Sequence, residues 1–517
     1  MTFNSIPMIQ QKVKTDFEML LSTVTGGDGQ NCSADQMERH LFEQLLRLGA
    51  NLMQLFFDMR SQTYPRKEAV NGAGKTLPYH SEKSRDYFSI FGELAIIRPY
   101  FYRKNEGGYS PLDAELGLGK DSYSDFLREL HDELSVHIPF AKEVKIVNRF
   151  LGIRLSTRCA QQFVEIDAAD AEAYYKQKSP PPVEEEASVL ALQADGKGVP
   201  IIKASANKDK VRLKRGEARS RKKAVTATAI YTIQPAPRSV DDVMASLLKE
   251  GETKTDLNRS RPQHKQIWGT LQGKDAALDR LQGEVEKRMG DHNQHRVMLC
   301  DGDKSLQNHL ATRFADFTLI LDFIHAYEYL WQVANTLYGE DDPNRQLWIL
   351  KQTRRLLNGQ AYSLAIAFRQ LAQERERSAS QQKILRKVAN YFENNQAYMD
   401  YAAYLQKGWP IASGVIEGVC RHFVKDRMEL SGMRWSIDGA ENLLYLRAVA
   451  ENDDWEAYHR FRKQRRQQRL YKRDWPEEVS LPTLSRPSKR PTKIQSVGGN
   501  AHTSITKQNY AQLPLAG

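Results

Sequence analysis

Apolar positions along the chain recur with two periods, and the places where one period gives way to the other predict its elements. From about residue 9 to residue 63, Met37, Leu41, Leu45, Leu46, Leu48, Leu52, Leu55 and Phe56 follow one another mostly at helical steps, and their stripe reads as packing. Pro65 to Leu77, with Gly72 and Gly74, reads as loop. GELAIIRPYFYRKNEGGYSPLD then has the alternation and the Gly-Gly turn of a β-hairpin. In AKEVKIVNRFLGIRLSTRCAQQFVEI, a helix carrying Val144, Ile146 and Val147 ends near Gly152. Ser156 can cap a second helix whose first turn presents Thr157, Arg158 and Gln161. This is a helix-turn-helix outline, with Arg154 in the turn, although short helix pairs of this kind also occur as plain packing.

Ser179 to Ser188, SPPPVEEEAS, is rich in Pro and Glu and reads as an interdomain linker. Strand patterns follow in SVLALQAD, KAVTATAIYTIQP and HRVMLCD, while the stretch RPQHKQIWGTLQGKDAALDRLQGEVEKRM is polar and helical in tendency. FADFTLILDFIHAYEYLWQVANTLYG passes from strand into amphipathic helix. From Asp342 to about Gln406 the pattern is almost wholly helical and interrupts the strand-rich region, so it reads as an insertion. Pro410 and Ser413 restart the core with a helix carrying Glu417, for which Ser413 is a candidate N-cap. Disorder is expected from about Pro476 onward.

Charge changes this picture by suggesting a ligand. The 517-residue chain has a formal net charge of +11, yet Lys203–Lys223 holds ten basic and two acidic residues, and the stretch from Phe461 to the end holds twelve basic and three acidic. Together these stretches carry +17, which leaves the remainder at −6. A base excess concentrated in this way suits a polyanion, although each run alone is equally readable as a solvated loop. Cys32, Cys159, Cys300 and Cys420 lie far apart with no CxxC pair, which argues against a disulfide framework and a Cys-pair zinc finger. The N-terminus lacks a signal-peptide pattern and no apolar run reaches spanning length, so a soluble intracellular protein with no membrane partner is expected.

Three acids stand out by their settings. Asp195 and Asp301 each close an apolar strand pattern and meet a glycine, and Glu417 opens a helix. Two strand-end carboxylates and one helix carboxylate can hold a pair of magnesium ions for in-line attack on a phosphodiester. Each acid alone also has an ordinary reading: a turn for Asp195 or Asp301, and a surface ion pair with Arg421 for Glu417. Asp303 competes with Asp301, which is favoured because it sits at the strand tip. Arg421 and Lys425 follow Glu417 at four-residue steps, with Arg427 close by, and suit phosphate contacts unless they form a solvated face offset by Asp426 and Glu429. Trp435 can stack on an unpaired base or pack the C-terminal helix onto the sheet.

The segments ASGVIEGVCRHFVKDRMELSGMRWSIDGAENLLYLRAV, LILDFIHAYEYLW, LQADGKGVP, YSPLDAELGL and the IYTIQP strand resemble the ISKra-type insertion-sequence transposases, bacterial RNase H-like DDE enzymes related to the Mutator group. The similarity runs from about Ile97 to Arg462. It implies Asp195, Asp301 and Glu417 as the catalytic, metal-binding triad, with the helical insertion between the second and third acid. It also implies a supporting element at Asp322 and His325. The implied cofactors are two Mg ions, with Mn as a substitute. The implied partners are the terminal repeats and target DNA, engaged by a homodimer or larger assembly in the cytoplasm at the nucleoid. Relatives with Cys pairs flanking the hairpin suggest a zinc module; this chain has none there, so no zinc is expected and the hairpin should be held by apolar packing alone.

The expected architecture is therefore a multidomain α+β protein with an RNase H-like core. Its expected parts are an N-terminal helical region (1–90), a hairpin and helix-turn-helix (91–178), a linker (179–188), the first part of the core (189–341), the helical insertion (342–406), the C-terminal core helices (407–460) and a basic, largely disordered tail (461–517). Expected DNA contacts are Arg154, Arg158, Gln161, Lys214, Arg215, Arg221, Lys222, Arg421, Lys425, Arg427 and Trp435. The expected function is metal-dependent DNA transposition. The alternatives are a structure-selective nuclease and a non-catalytic, transposase-derived regulator.

Overall fold

The structure is a computed structural model that describes residues 6–72, 74–202, 222–247, 261–475 and 479–484. Met1–Trp475 forms one compact unit and Pro476–Gly517 a second, in which residues 479–484 have no regular secondary structure. The expected contacts Lys214, Arg215 and Arg221 lie outside the described residues.

Helices α1 (Ile6–Thr25) and α2 (Ala34–Thr63) open the chain, and α2 begins at a capping box in which Ser33 and Gln36 satisfy each other's backbone amides. A four-stranded antiparallel sheet follows, in the order β1 (Glu68–Val70), β2 (Thr76–Ser89), β3 (Gly92–Arg103), β4 (Gly107–Tyr109). Its main hairpin is β2–β3, turning at Ile90–Phe91, while Gly107 and Gly108 lie within the short β4, which follows a turn at Lys104–Glu106. This corrects the reading of residues 65–77 as loop and of 1–90 as helical. β2 escaped notice because TLPYHSEKSRDYFS is mostly polar and half-exposed. Nor is apolar packing alone at work. Asp113 accepts from both Arg85 and Arg98 across the sheet, and Arg66 pairs with Glu82 at 2.8 Å.

Helices α3 (Asp125–Ser135), α4 (Phe140–Leu151), α5 (Thr157–Ala168) and α6 (Ala171–Gln177) come next. Gly152 ends α4 at φ +66°, the left-handed conformation a glycine adopts without a Cβ clash, and Ser156 Oγ accepts from the Cys159 amide to cap α5. The predicted linker is no spacer between bodies. Glu186 is buried against Arg288 at 2.5 Å and His292 at 2.9 Å, which fastens the segment to the core.

The second sheet is mixed and five-stranded, with helices packed against it. β5 (Val189–Pro200) pairs antiparallel with β6 (Lys222–Ile233), and β6 pairs antiparallel with β7 (Gln263–Thr270). On the other side, β8 (His295–Cys300) is parallel to β5, and β9 (Thr318–Leu321) is parallel to β8. Residues 263–270 are therefore a strand where helix was expected. Their exposed beginning and buried end suit an edge strand, whose polar start hides the period. α7 (Lys274–Arg288) and α8 (Lys304–Arg313) flank β8, and α9 (Phe323–Leu337) leaves β9.

The insertion is helical: α10 (Pro343–Leu357), α11 (Ala361–Leu371) and α12 (Ala379–Asn395) share an apolar core with β5, β8, β9 and α9. The chain then re-enters the sheet region through α13 (Gly414–Gly418), which runs into a π-helix at Val419–Lys425, and ends in α14 (Ile437–Glu451) and α15 (Trp455–Tyr471). The predicted tail thus begins with ordered helix. Arg462 and Arg466 of α15 are buried on Asp167 and Asp125, so basic residues read as solvated are spent on internal pairs. Among the described residues no helix is long and apolar enough to cross a membrane.

Candidate functional site

Parallel pairing of β5 with β8 stops at Gln193 and Leu299, and pairing of β8 with β9 stops at Cys300 and Leu321. Asp195, Asp301 and Asp322 therefore come just beyond the ends of the pairing on three adjacent strands. An open α/β sheet commonly places its ligands at such a carboxyl edge. One expectation is corrected here. Asp195 does not end its strand, because β5 continues to Pro200 in its antiparallel ladder with β6. Gly196 stays within that ladder, so it makes no turn.

Gln193 brings the helix acid to this edge. Its side chain faces the same side of β5 as Asp195, is fully buried, accepts from the Ile416 amide at 2.8 Å and donates to Tyr231 at 2.9 Å. One residue after Ile416 comes Glu417. A second tie comes from Asp322, also fully buried. It accepts from the Ile324 amide at 3.0 Å, the Ser413 amide at 3.2 Å and Ser413 Oγ at 2.6 Å. Ser413 therefore does not cap α13 with its hydroxyl; it binds Asp322 and joins α13 to the start of α9.

These ties bring one ligand atom each of Asp322, His325 and Glu417 within 4.8 Å of one another. Among the described residues this is the group of His, Cys, Asp and Glu close enough to share a metal ion; Asp195, Asp301 and Glu417 do not form such a group. Asp195 and Asp301 border it. Asp195 accepts from the Cys420 thiol at 3.3 Å, one helical turn past Glu417, and Asp301 feels both the negative charge of Asp195 and the imidazole of His325. Asp301 and Asp303 differ clearly. Asp303 caps α8 through the Leu306 amide at 2.9 Å and pairs with Lys274 at 2.9 Å. Burial would raise its carboxyl, but those two partners hold it below the usual range. The Asp301 carboxylate accepts from the Asp303 amide at 3.0 Å and lacks a cationic side-chain partner among the described residues.

Burial and Asp195 raise the carboxyl of Asp301. Burial and Asp322 raise that of Glu417, against a smaller opposing effect of His325. The Cys300 and Cys420 thiols are pushed up by burial and by the surrounding aspartates. Among the described residues, Asp195, Asp301, Asp322 and Glu417 form no ion pair with a lysine or arginine. Hard oxygen ligands with one imidazole, and no lysine or arginine paired to them among the described residues, fit magnesium or manganese.

The expected DNA contacts divide. Arg154, Arg158, Gln161, Arg421 and Lys425 are exposed, while Lys222 pairs with Glu429. The π-helix from Val419 to Lys425 widens the turn, so Glu417, Arg421 and Lys425 do not repeat on one face as in an α-helix. Arg427 and Trp435 are not surface contacts. Arg427 is 1% exposed, donates to Ser135 O at 2.8 Å, and lies over the rings of Phe140 and Trp435 at 5.2 and 5.0 Å. Trp435 Nε1 donates to Met428 O at 2.9 Å, and its backbone bridges to Pro200 and Ile202. Both residues fasten the chain after the π-helix to α4 and β5. Gln193 was not among the expected site residues, and Ser413 was expected only as an N-cap. The one available signal was position: Gln193 is a polar residue inside an otherwise apolar strand.

Compared with known proteins, the chain matches no family model and no curated protein.

Proposed function

We propose that this protein is a DNA transposase of the RNase H-like DDE type, acting on the ends of an insertion sequence. The observation that carries the reading is the convergence at one sheet edge of acids from three strands and a helix. Asp195, Asp301 and Asp322 leave adjacent strands, and Glu417 is delivered by α13 after a helical insertion. The sheet supports an RNase H-like core: three antiparallel strands, continued on the other side of β5 by two strands parallel to it.

Asp322, His325 and Glu417, whose ligand atoms lie within 4.8 Å of one another, would hold one magnesium ion, and Asp195 and Asp301 beside them would help hold a second. The ions would supply Lewis-acid activation of the attacking water or 3′-hydroxyl and neutralise the charge gathering on the phosphate. The chain's own contribution is placement. Gln193 and the Asp322–Ser413 pair fix α13 against β5 and β9, so Glu417 reaches the edge without a loop to order. His325 lies 3.8 Å from Asp322 and 3.5 Å from Glu328, where it can position a phosphate or leaving oxygen. Arg154, Arg158 and Gln161 on the α4–α5 pair are exposed, and would contact the DNA ends.

The test is an assay with purified protein, a plasmid bearing the element's own ends, and Mg or Mn. Nicking at the ends followed by joining of the 3′-hydroxyl to target DNA supports the reading. Cleavage without joining would make the protein a nuclease. End binding without cleavage in either metal would make it a regulator.

A further inference from the structure

Beside the acidic edge lies a cleft of about 680 Å³ between α9 and α12, lined among others by Tyr329, Lys383, Arg386, Lys387, Asn390 and Tyr391. Lys383, Arg386, Lys387, Asn390 and Asn394 fall at steps of three and four along α12, so the helix turns one polar, basic face into the cleft. Lys383 and Arg386 are exposed, and neither pairs with a carboxylate among the described residues. Lys387 donates to Gln332 at 3.3 Å.

The inner wall of this cleft is in contact with the candidate site. Tyr391 stacks on Tyr329 with centroids 3.8 Å apart and packs so closely over Gly302 that a Cβ there would overlap its ring. Gly302 directly follows Asp301. The charge of Asp301 acts on both phenols, raising them further after burial has done so. A basic groove thus ends at the loop that carries an acid of the site. A polyanion approaching four carboxylates needs such a counter-charge close by.

We propose that this face of α12 is a track for one DNA strand, binding its phosphates next to the acidic edge so that the helical insertion helps hold the strand being cut. The ligand chemistry is a phosphodiester backbone, not a stacked base. Tyr391 stacks against Tyr329, and Lys387 lies over the Tyr329 ring at 5.2 Å, so both a ring and a cation already occupy this aromatic surface. This inference rests on the transposase reading and names a part of its substrate site.

The experiment measures binding of the full chain to a fluorescent single-stranded oligonucleotide across a salt series without divalent metal, comparing wild type with Lys383→Ala/Arg386→Ala and with the triple variant adding Lys387→Ala. Each phosphate contact to a single strand contributes roughly 0.7 to the slope of log affinity against log salt, so the slope should fall by about 1.4 in the double variant and about 2 in the triple. The double variant leaves the tyrosine wall untouched, and an unchanged thermal midpoint shows that it folds. An unchanged slope in a folded double variant would overturn the track. The two readings fail separately. Wild type that binds through this face but never cuts keeps the track and loses the transposase; wild type that cuts, with no slope change in the variants, does the reverse.

Discussion

Two acid-rich regions of this molecule are built in opposite ways. Where α3 and α5 meet α15, Asp125 takes a two-pronged pair from Arg466 at 2.6 Å, Asp167 takes Arg462 at 2.5 Å and Arg128 at 3.6 Å, and Asp170 takes Arg465 and Arg469. At the sheet edge, Asp195, Asp301, Asp322 and Glu417 gather with one imidazole and no lysine or arginine pair among the described residues. The titration behaviour follows. Burial would raise Asp125, but the arginines hold it below its ordinary value, whereas burial and neighbouring acids push Asp301 and Glu417 up. Carboxylates matched by arginines serve the fold; carboxylates left unmatched in a crevice mark a place for a cation from outside.

Breaking the first region should cost stability most. Arg462→Ala leaves Asp167 buried with the more distant Arg128, at 3.6 Å, as its remaining arginine, which should cost about 3–5 kcal/mol in chemical denaturation. An effect below about 1 kcal/mol would mean that the pair is not the clamp described. The second region should show the opposite balance. Glu417→Gln should lower metal-dependent cleavage on the order of 100-fold or more, while its metal-free thermal midpoint stays level or rises, since a repelled charge has been removed. A marked loss of stability would place Glu417 with the structural acids.

Acid sharpens the contrast further. His459, buried against α3, is held neutral by burial and by Arg462 and Lys463, its pKa depressed to about 2. A depressed folded value means that its stability contribution is present above the ordinary pKa of about 6.5 and is lost as pH falls below it, with a limiting slope near 1.4 kcal/mol per unit. Asp301 and Glu417 have raised values, so their contribution has the other sign: greatest in acid, and lost as pH rises through the folded value. Stability measured from pH 7 to 5 should therefore fall in wild type and fall less steeply in His459→Gln. Equal slopes would remove His459 from the account. A smaller effect separates surface from core. Arg158→Ala should leave stability within about 0.5 kcal/mol and weaken duplex binding, whereas Trp435→Ala should cost about 3–5 kcal/mol as a core cavity.

The same contrast explains what could be read from the chain. β5, β8 and β9 are short apolar runs, and the insertion helices keep a helical period, so their types were legible from residue pattern. Polar β2 was not, because its pairing is made by backbone groups that carry no residue signature. Asp301 could be named, yet its distinction from Asp303 depended on Lys274, 29 residues upstream. Arg427 and the α15 arginines read as DNA contacts or solvated charge because a basic residue looks the same in sequence whether it faces solvent or a buried acceptor.

The edge acids, which have no lysine or arginine partner among the described residues, should take up a divalent cation. Thermal unfolding of wild type and Glu417→Gln, titrated with MnCl2, tests this without DNA. At manganese about 100-fold above its dissociation constant, wild type should gain about 2.7 kcal/mol, with a rising midpoint, and the variant should gain much less. A flat response in wild type, or an equal gain in both, would contradict it.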